Sequence, residues 1–330
     1  MKKFKEIPLI NTFLCFCVVM IHLTSDPVEN LTFGTFWHTV IYIINRALWF
    51  SVPAFLFLSG LKLYNKYGGE KVDLKGFYMG RLKKIVVPYV ICVLIYFAYF
   101  FSKGWADVKS LPKYILLGTL VAHCYYIVIA VQSYIIFPLL KKGFDRFPRA
   151  TTVVSLICSV IFAQFWRFEY TGRFLGTYIF YFVSGMFFAK YRLYKKIKKI
   201  YPWCVAGYVA AAVIHISLLY RQSAGGFWYR YAELVNIVYV TLSIGVIYGT
   251  CLILSQRCKG LCRCAQIINN TSFSIYLYHI MVLSVLKYDI LPRFNLTVGD
   301  SFVISAVVIY GVIFIYSWLV EYIKRNFKKR

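Results

Sequence analysis

His22, Arg46, His123, His215 and His279 are ionisable residues inside long apolar runs of this 330-residue chain, while Glu233 and Glu321 lie at the ends of such runs. An ionisable side chain in a membrane-spanning segment costs about 3 kcal/mol by insertion scales, so each is a functional candidate by default. His22 is the strongest. Asp26 follows it by four residues, and its own helical face carries Val18, Cys15 and Asn11. A neutral imidazole with an ordinary pKa of about 6.5 can take a proton from an alcohol near pH 7. Each candidate also has a plainer reading. Arg46 can snorkel to headgroups. His123, beside Tyr125 and Tyr126, fits an interfacial aromatic belt. His215 fits an interhelical hydrogen bond, and His279 in SFSIYLYHI either bonds across helices or lines a pathway.

The elements that would position these residues are transmembrane helices. The chain is 60% hydrophobic and only 15% charged, with a mean hydropathy of +0.66. A soluble domain of this length shows far more charge. Runs near 7–24, 41–63, 85–101, 123–140, 150–166, 174–189, 202–220, 232–254, 270–287 and 301–322 approach the roughly 20 apolar residues a spanning helix needs. The expected fold class is therefore all-α, a polytopic membrane protein of about ten transmembrane helices. The runs 150–166 and 202–220 are the weakest, which allows nine to eleven. No small-residue cleavage site follows the first run, which argues against a signal peptide. Pro53 and Pro88 predict local bends. Connections are short and no repeat is visible, so 1–330 reads as a single membrane domain.

The net charge of +26 invites nucleic-acid binding, but the charge sits in alternate loops rather than on one face. Segments 1–6, 62–84, 141–149, 190–199, 255–268 and 324–330 hold 28 of the 38 Lys and Arg residues. By the positive-inside rule these segments are cytoplasmic, as are both termini. Membrane lipids, not nucleic acid, are the expected partners of those loops. In this topology His22, Arg46 and His123 share a depth near the outer surface, as one polar chamber requires. Most of the ten cysteines lie in apolar helices as small hydrophobes. Cys258, Cys262 and Cys264 have a weak spacing for zinc and read better as reduced thiols on a basic loop, so no metal site is expected.

The chain resembles the acyltransferase-3 membrane proteins, which acylate cell-surface sugars. FCVVMIHLTSDP is similar to that family's first helix and NRALWFSVPAFLFLSG, ending in Ser59 and Gly60, to its second. RLKKIVVPY resembles the basic approach to the third helix. HCYYIVIAVQSYIIFPLL resembles a His-x-aromatic-aromatic segment, and TSFSIYLYHI a penultimate-helix motif. The resemblance implies an O-acyltransferase of the cell membrane, with acyl-CoA as co-substrate, in the simplest case acetyl-CoA, and no bound cofactor. The acceptor it implies is a glycan or lipid-linked sugar outside the cell. It makes His22 the catalytic histidine, as general base or transient acyl carrier. Arg81, Lys83 and Lys84 become cations for the CoA phosphates, although positive-inside topology accounts for them equally well. Arg46, His123, Tyr125, His279 and Ser59 are candidates for holding the acceptor or an oxyanion. Asn11 stands where the family usually has arginine, and an amide supplies neither its charge nor its bidentate grip. The alternative function is an exporter of polysaccharide or lipid-linked sugar without acyl transfer.

Overall fold

The computed structural model describes residues 4–166, 168–225 and 232–327; the start of the 1–6 basic run and the end of the 324–330 basic run lie outside them. Among the described residues the chain is all helix, without strands. In order, the helices are α1 (Ile7–Asn30), α2 (Phe36–Ala47), α3 (Ser51–Tyr67), α4 (Leu74–Arg81), α5 (Val87–Ser102), α6 (Leu111–Leu117) and α7 (Tyr125–Arg146). There follow α8 (Pro148–Val160), α9 (Leu175–Lys190), α10 (Ile197–Ser223), α11 (Ala232–Arg257), α12 (Lys259–Asn269), α13 (Ser272–Val285) and α14 (Val298–Phe327).

Nine helical segments among the described residues are long and apolar enough to cross a membrane: Ile7–Asn30, Phe36–Tyr67, Leu74–Ser102, Ala122–Arg146, Pro148–Phe165, Ile197–Ser223, Glu233–Arg257, Ser272–Arg293 and Val298–Asn326. The tenth expected run, 174–189, forms α9 with 16 residues. At 1.5 Å per residue α9 is about 24 Å long, short of the roughly 30 Å hydrocarbon layer. The two weakest runs in the sequence instead fall in segments of 18 and 27 residues, Pro148–Phe165 and Ile197–Ser223, that are among those nine.

Local sequence explains several helix ends. The Thr35 side chain caps α2 by accepting from the His38 amide at 3.3 Å, and Asp73 caps α4 from the Gly76 amide at 3.2 Å. The second span is interrupted between α2 and α3, where the Ser51 hydroxyl donates to the Leu48 carbonyl at 2.6 Å. Pro53 falls in the first turn of α3, where its missing donor costs nothing. Pro88 opens α5 directly after a wider π-turn, Leu82–Val86. Both prolines thus mark helix restarts.

The helices pack into two compact units. One is built on Val52–Lys198; the other joins the stretch ending at Ser51 to Val238–Arg330 and most of α10. In the first unit, Leu63 and Tyr64 of α3, Phe77 of α4, Phe137 and Phe144 of α7, and Phe182, Val183 and Met186 of α9 form the core. The backbones of α3 and α9 touch, because a Cβ at Gly60 would overlap the Phe182 carbonyl and one at Gly185 that of Phe57. Small residues permit this approach where lipid gives helices no hydrophobic drive to associate. In the second unit α1 is central. Its Cys15 and Val19 pack on Ile268 of α12, Ile275 of α13, and Ile309 and Ile313 of α14. The outward faces are apolar, with Val307, Ile315 and Trp318 of α14 and Val213 of α10 all exposed. That pattern suits hydrocarbon as the surrounding solvent.

Candidate active site

Within the second unit, His22 of α1 and His279 of α13 face each other with ring centroids 5.3 Å apart and planes tilted by 46°. His279 is buried. Its Nδ1 lies 2.8 Å from the Tyr276 carbonyl and 3.1 Å from that of Ile275. Carbonyl oxygens only accept, so Nδ1 carries the proton and Nε2 of the neutral ring is the acceptor nitrogen. A neutral His279 therefore cannot donate to an oxyanion through Nε2, and its geometry suits proton handling better.

His22 also lines a cavity of about 390 Å³, together with Asp26, Lys287, Phe294, Asn295, Ser301 and Ser305. Lys287 Nζ lies 2.5 Å from Asp26 Oδ1. Asp26 follows His22 by one helical turn, and Lys287 lies on the π-turn Leu286–Ile290 that extends α13. The cavity thus presents an imidazole, an ion pair, an amide and two hydroxyls against an aromatic ring, a set able to hydrogen-bond a polyhydroxylated ligand.

Several polar groups fix this end of α1. Pro27 lies inside the helix and removes one backbone donor. Thr24 Oγ1 donates to Met20 O at 2.6 Å and Ser25 Oγ to Ile21 O at 2.8 Å. From α2, buried Asn45 donates through Nδ2 to Ile21 O at 2.9 Å and to Thr24 Oγ1 at 2.8 Å. Asn45 Oδ1 in turn accepts from Arg46 Nη1 at 3.0 Å. The Arg46 guanidinium lies over the rings of Tyr42 (4.7 Å) and Trp49 (4.5 Å), and its buried Nε has no hydrogen-bond partner among the described residues. Arg46 is therefore enclosed by aromatic rings and coupled to the backbone beside His22 through Asn45.

At the other end of α1, Asn11 Nδ2 donates to Asn269 Oδ1 of α12 at 2.7 Å. Next to it Thr12 Oγ1 donates to Ala265 O at 2.9 Å. Where the family usually has arginine, this chain ties α1 to α12 with paired amides. His215 stacks on Tyr239 at 4.8 Å, and among the described residues no three His, Cys, Asp or Glu side chains converge as metal ligands would.

The remaining candidates belong to the first unit. His123 is buried at the start of α7 with the Tyr96 ring 5.7 Å away. Ser59 of α3 shares a side-chain hydrogen bond with Tyr126, the neighbour of Tyr125. Arg81 ends α4 with its guanidinium over Phe77 (5.2 Å) and Tyr134 (4.9 Å). Lys83 and Lys84 are exposed on the π-turn that follows. Sequence reasoning passed over Gln132, whose amide clamps the start of α9 by donating to Arg173 O (2.8 Å) and accepting from Leu175 N (2.9 Å). It also did not single out Lys287 or Asn45. An amide within an apolar run was the available signal for Gln132 and Asn45.

The acyltransferase-3 sequence model, described as an acyltransferase domain, matches residues 5–322. "Putative membrane-bound acyltransferase YfiQ" of Bacillus subtilis (strain 168) is 25% identical over 299 residues, which cover 83% of this chain and 80% of the relative. No solved structure matches the chain. A family match over nearly the whole length, on a bundle with nine helices able to cross a bilayer among its described residues, means that the chain belongs to the acyltransferase-3 family and is a membrane acyltransferase.

Proposed function

We propose that this acyltransferase resides in the cell membrane and moves an acyl group, acetyl in the simplest case, from cytoplasmic acyl-CoA to a hydroxyl of a cell-surface glycan or lipid-linked sugar. The observation that carries the reading is His22, which lines a polar cavity and faces the His279 ring at 5.3 Å. His22 takes the acceptor's hydroxyl proton as its oxygen attacks the thioester carbonyl. The C–S bond then breaks, the CoA thiolate leaves, and the His22 imidazolium returns the proton to sulfur. The products are an ester and free CoA. A sugar fits the polar lining better than an apolar alcohol, because Asp26, Lys287, Asn295 and Ser301 all border the cavity. The polyanionic donor needs cations, and Arg81, Lys83 and Lys84 offer three within about one turn.

The test is transfer of labelled acetyl from acetyl-CoA to the glycan fraction of membranes holding equal amounts of wild-type or His22→Ala protein. Loss of labelling in the variant is expected; unchanged labelling overturns the assignment of His22.

A further inference from the structure

A second cavity, of about 720 Å³, lies in the first unit between the loop joining α3 to α4 and the C-terminal half of α7. Neither Arg81, Lys83 nor Lys84 lines it. Its cations are Lys71, Lys141 and Lys142. Lys141 is committed, since its Nζ lies 2.6 Å from Asp145 Oδ2. Asp145 is committed too: Oδ1 accepts from the Tyr64 hydroxyl at 2.8 Å, and its backbone carbonyl accepts from Lys190 Nζ at 3.2 Å. The Lys141–Asp145 pair forms part of the cavity lining and leaves Lys71 and Lys142, both exposed, as cations without an ion-pair partner among the described residues. Glu70 is the opposing charge on the lining. The remaining lining is apolar and aromatic. The half-exposed Tyr78 ring is fixed there by its hydroxyl, which donates to Ile135 O at 2.9 Å. The volume is that of an ordinary small-molecule pocket.

We propose that this cavity is a phosphate-ester site, in which Lys71 and Lys142 hold the phosphate and Tyr78 with its apolar neighbours holds the attached organic group. Ammonium groups bind phosphate as point charges. Two sources carry this chemistry, the nucleotide end of CoA and the headgroup of an anionic phospholipid. The first source rests on the acyl-CoA reading above and adds a subsite to it, because Arg81 lies one turn of α4 beyond Tyr78.

Full-length protein in neutral detergent is tested with radiolabelled CoA, and separately with phosphatidylglycerol retained from nanodiscs and quantified by native mass spectrometry. Lys71→Gln with Lys142→Gln removes the charges. Gly69→Phe adds a ring to the cavity lining at a position where a Cβ meets nothing within 4 Å. Both variants are expected to raise the Kd for CoA about tenfold or to lose most of the bound phosphatidylglycerol, and whichever probe responds identifies the source. CoA and lipid binding both unchanged in both variants overturns the site. His22→Ala separates the two proposals, since it should abolish transfer and leave both binding measurements unchanged.

Discussion

Lys287, on the turn that extends α13, closes a 2.5 Å ion pair with Asp26, one helical turn beyond His22. Their side chains are 49% and 38% exposed, so the pair adds well under about 1 kcal/mol to stability. Its place on the cavity wall points instead to the acceptor. Lys287→Gln and Asp26→Asn should leave the thermal midpoint nearly unchanged and raise the acceptor KM several-fold. The exchanged pair, Asp26→Lys with Lys287→Asp, should restore part of the loss. A fall in kcat with an unaltered KM would argue against an acceptor-binding role.

Asn45 is the buried bracket between α2 and α1, with three hydrogen bonds. Asn45→Ala leaves the Arg46 guanidinium without its amide acceptor and removes the donor to Ile21 O. A buried partner lost in this way costs about 1–3 kcal/mol. The thermal midpoint should drop by several degrees, and kcat should fall with His22 still present. A fully stable Asn45→Ala protein would show that the bracket is dispensable.

The Asn11–Asn269 contact predicts coupling. In a double-mutant cycle, Asn11→Ala and Asn269→Ala should each destabilise the protein, with an interaction energy of roughly 1 kcal/mol. Strictly additive losses would mean that the paired amides do not act together.

Helix α9 decides the topology, because nine crossings put the two termini on opposite faces and ten put them on the same face. Of the six cations of 190–199, Lys190 ends α9 and the other five directly follow it, as expected for a helix entering the cytoplasm. A C-terminal fluorescent fusion should therefore report from the cytoplasm; activity of a C-terminal phosphatase fusion outside would mean that α9 does not cross. The same helix should be intolerant of bulk. Gly185→Val drives a side chain into the Phe57 carbonyl and should sharply lower the yield of folded protein.

The all-helical membrane fold was legible in the sequence because lipid demands long apolar runs whatever their packing. The length of α9 was legible too, since the run 174–189 already held only 16 residues, while the Gln132 clamp at its start was not. His22 and His279 stood out as costly residues in spans, yet their places near opposite ends of the chain hid their ring contact. Lys287, at the end of the run 270–287, did not stand out because its partner Asp26 is equally remote in sequence. Arg46 left both readings open in the sequence; in the structure its guanidinium lies over the Tyr42 and Trp49 rings.

The most direct test of the role given to His22 is the rate of acyl transfer by purified, reconstituted His22→Ala protein, measured beside its CoA affinity. A general base contributes about 10²- to 10⁴-fold, so a loss of that order in kcat/KM is expected, with CoA affinity unchanged. Transfer at the wild-type rate would contradict it.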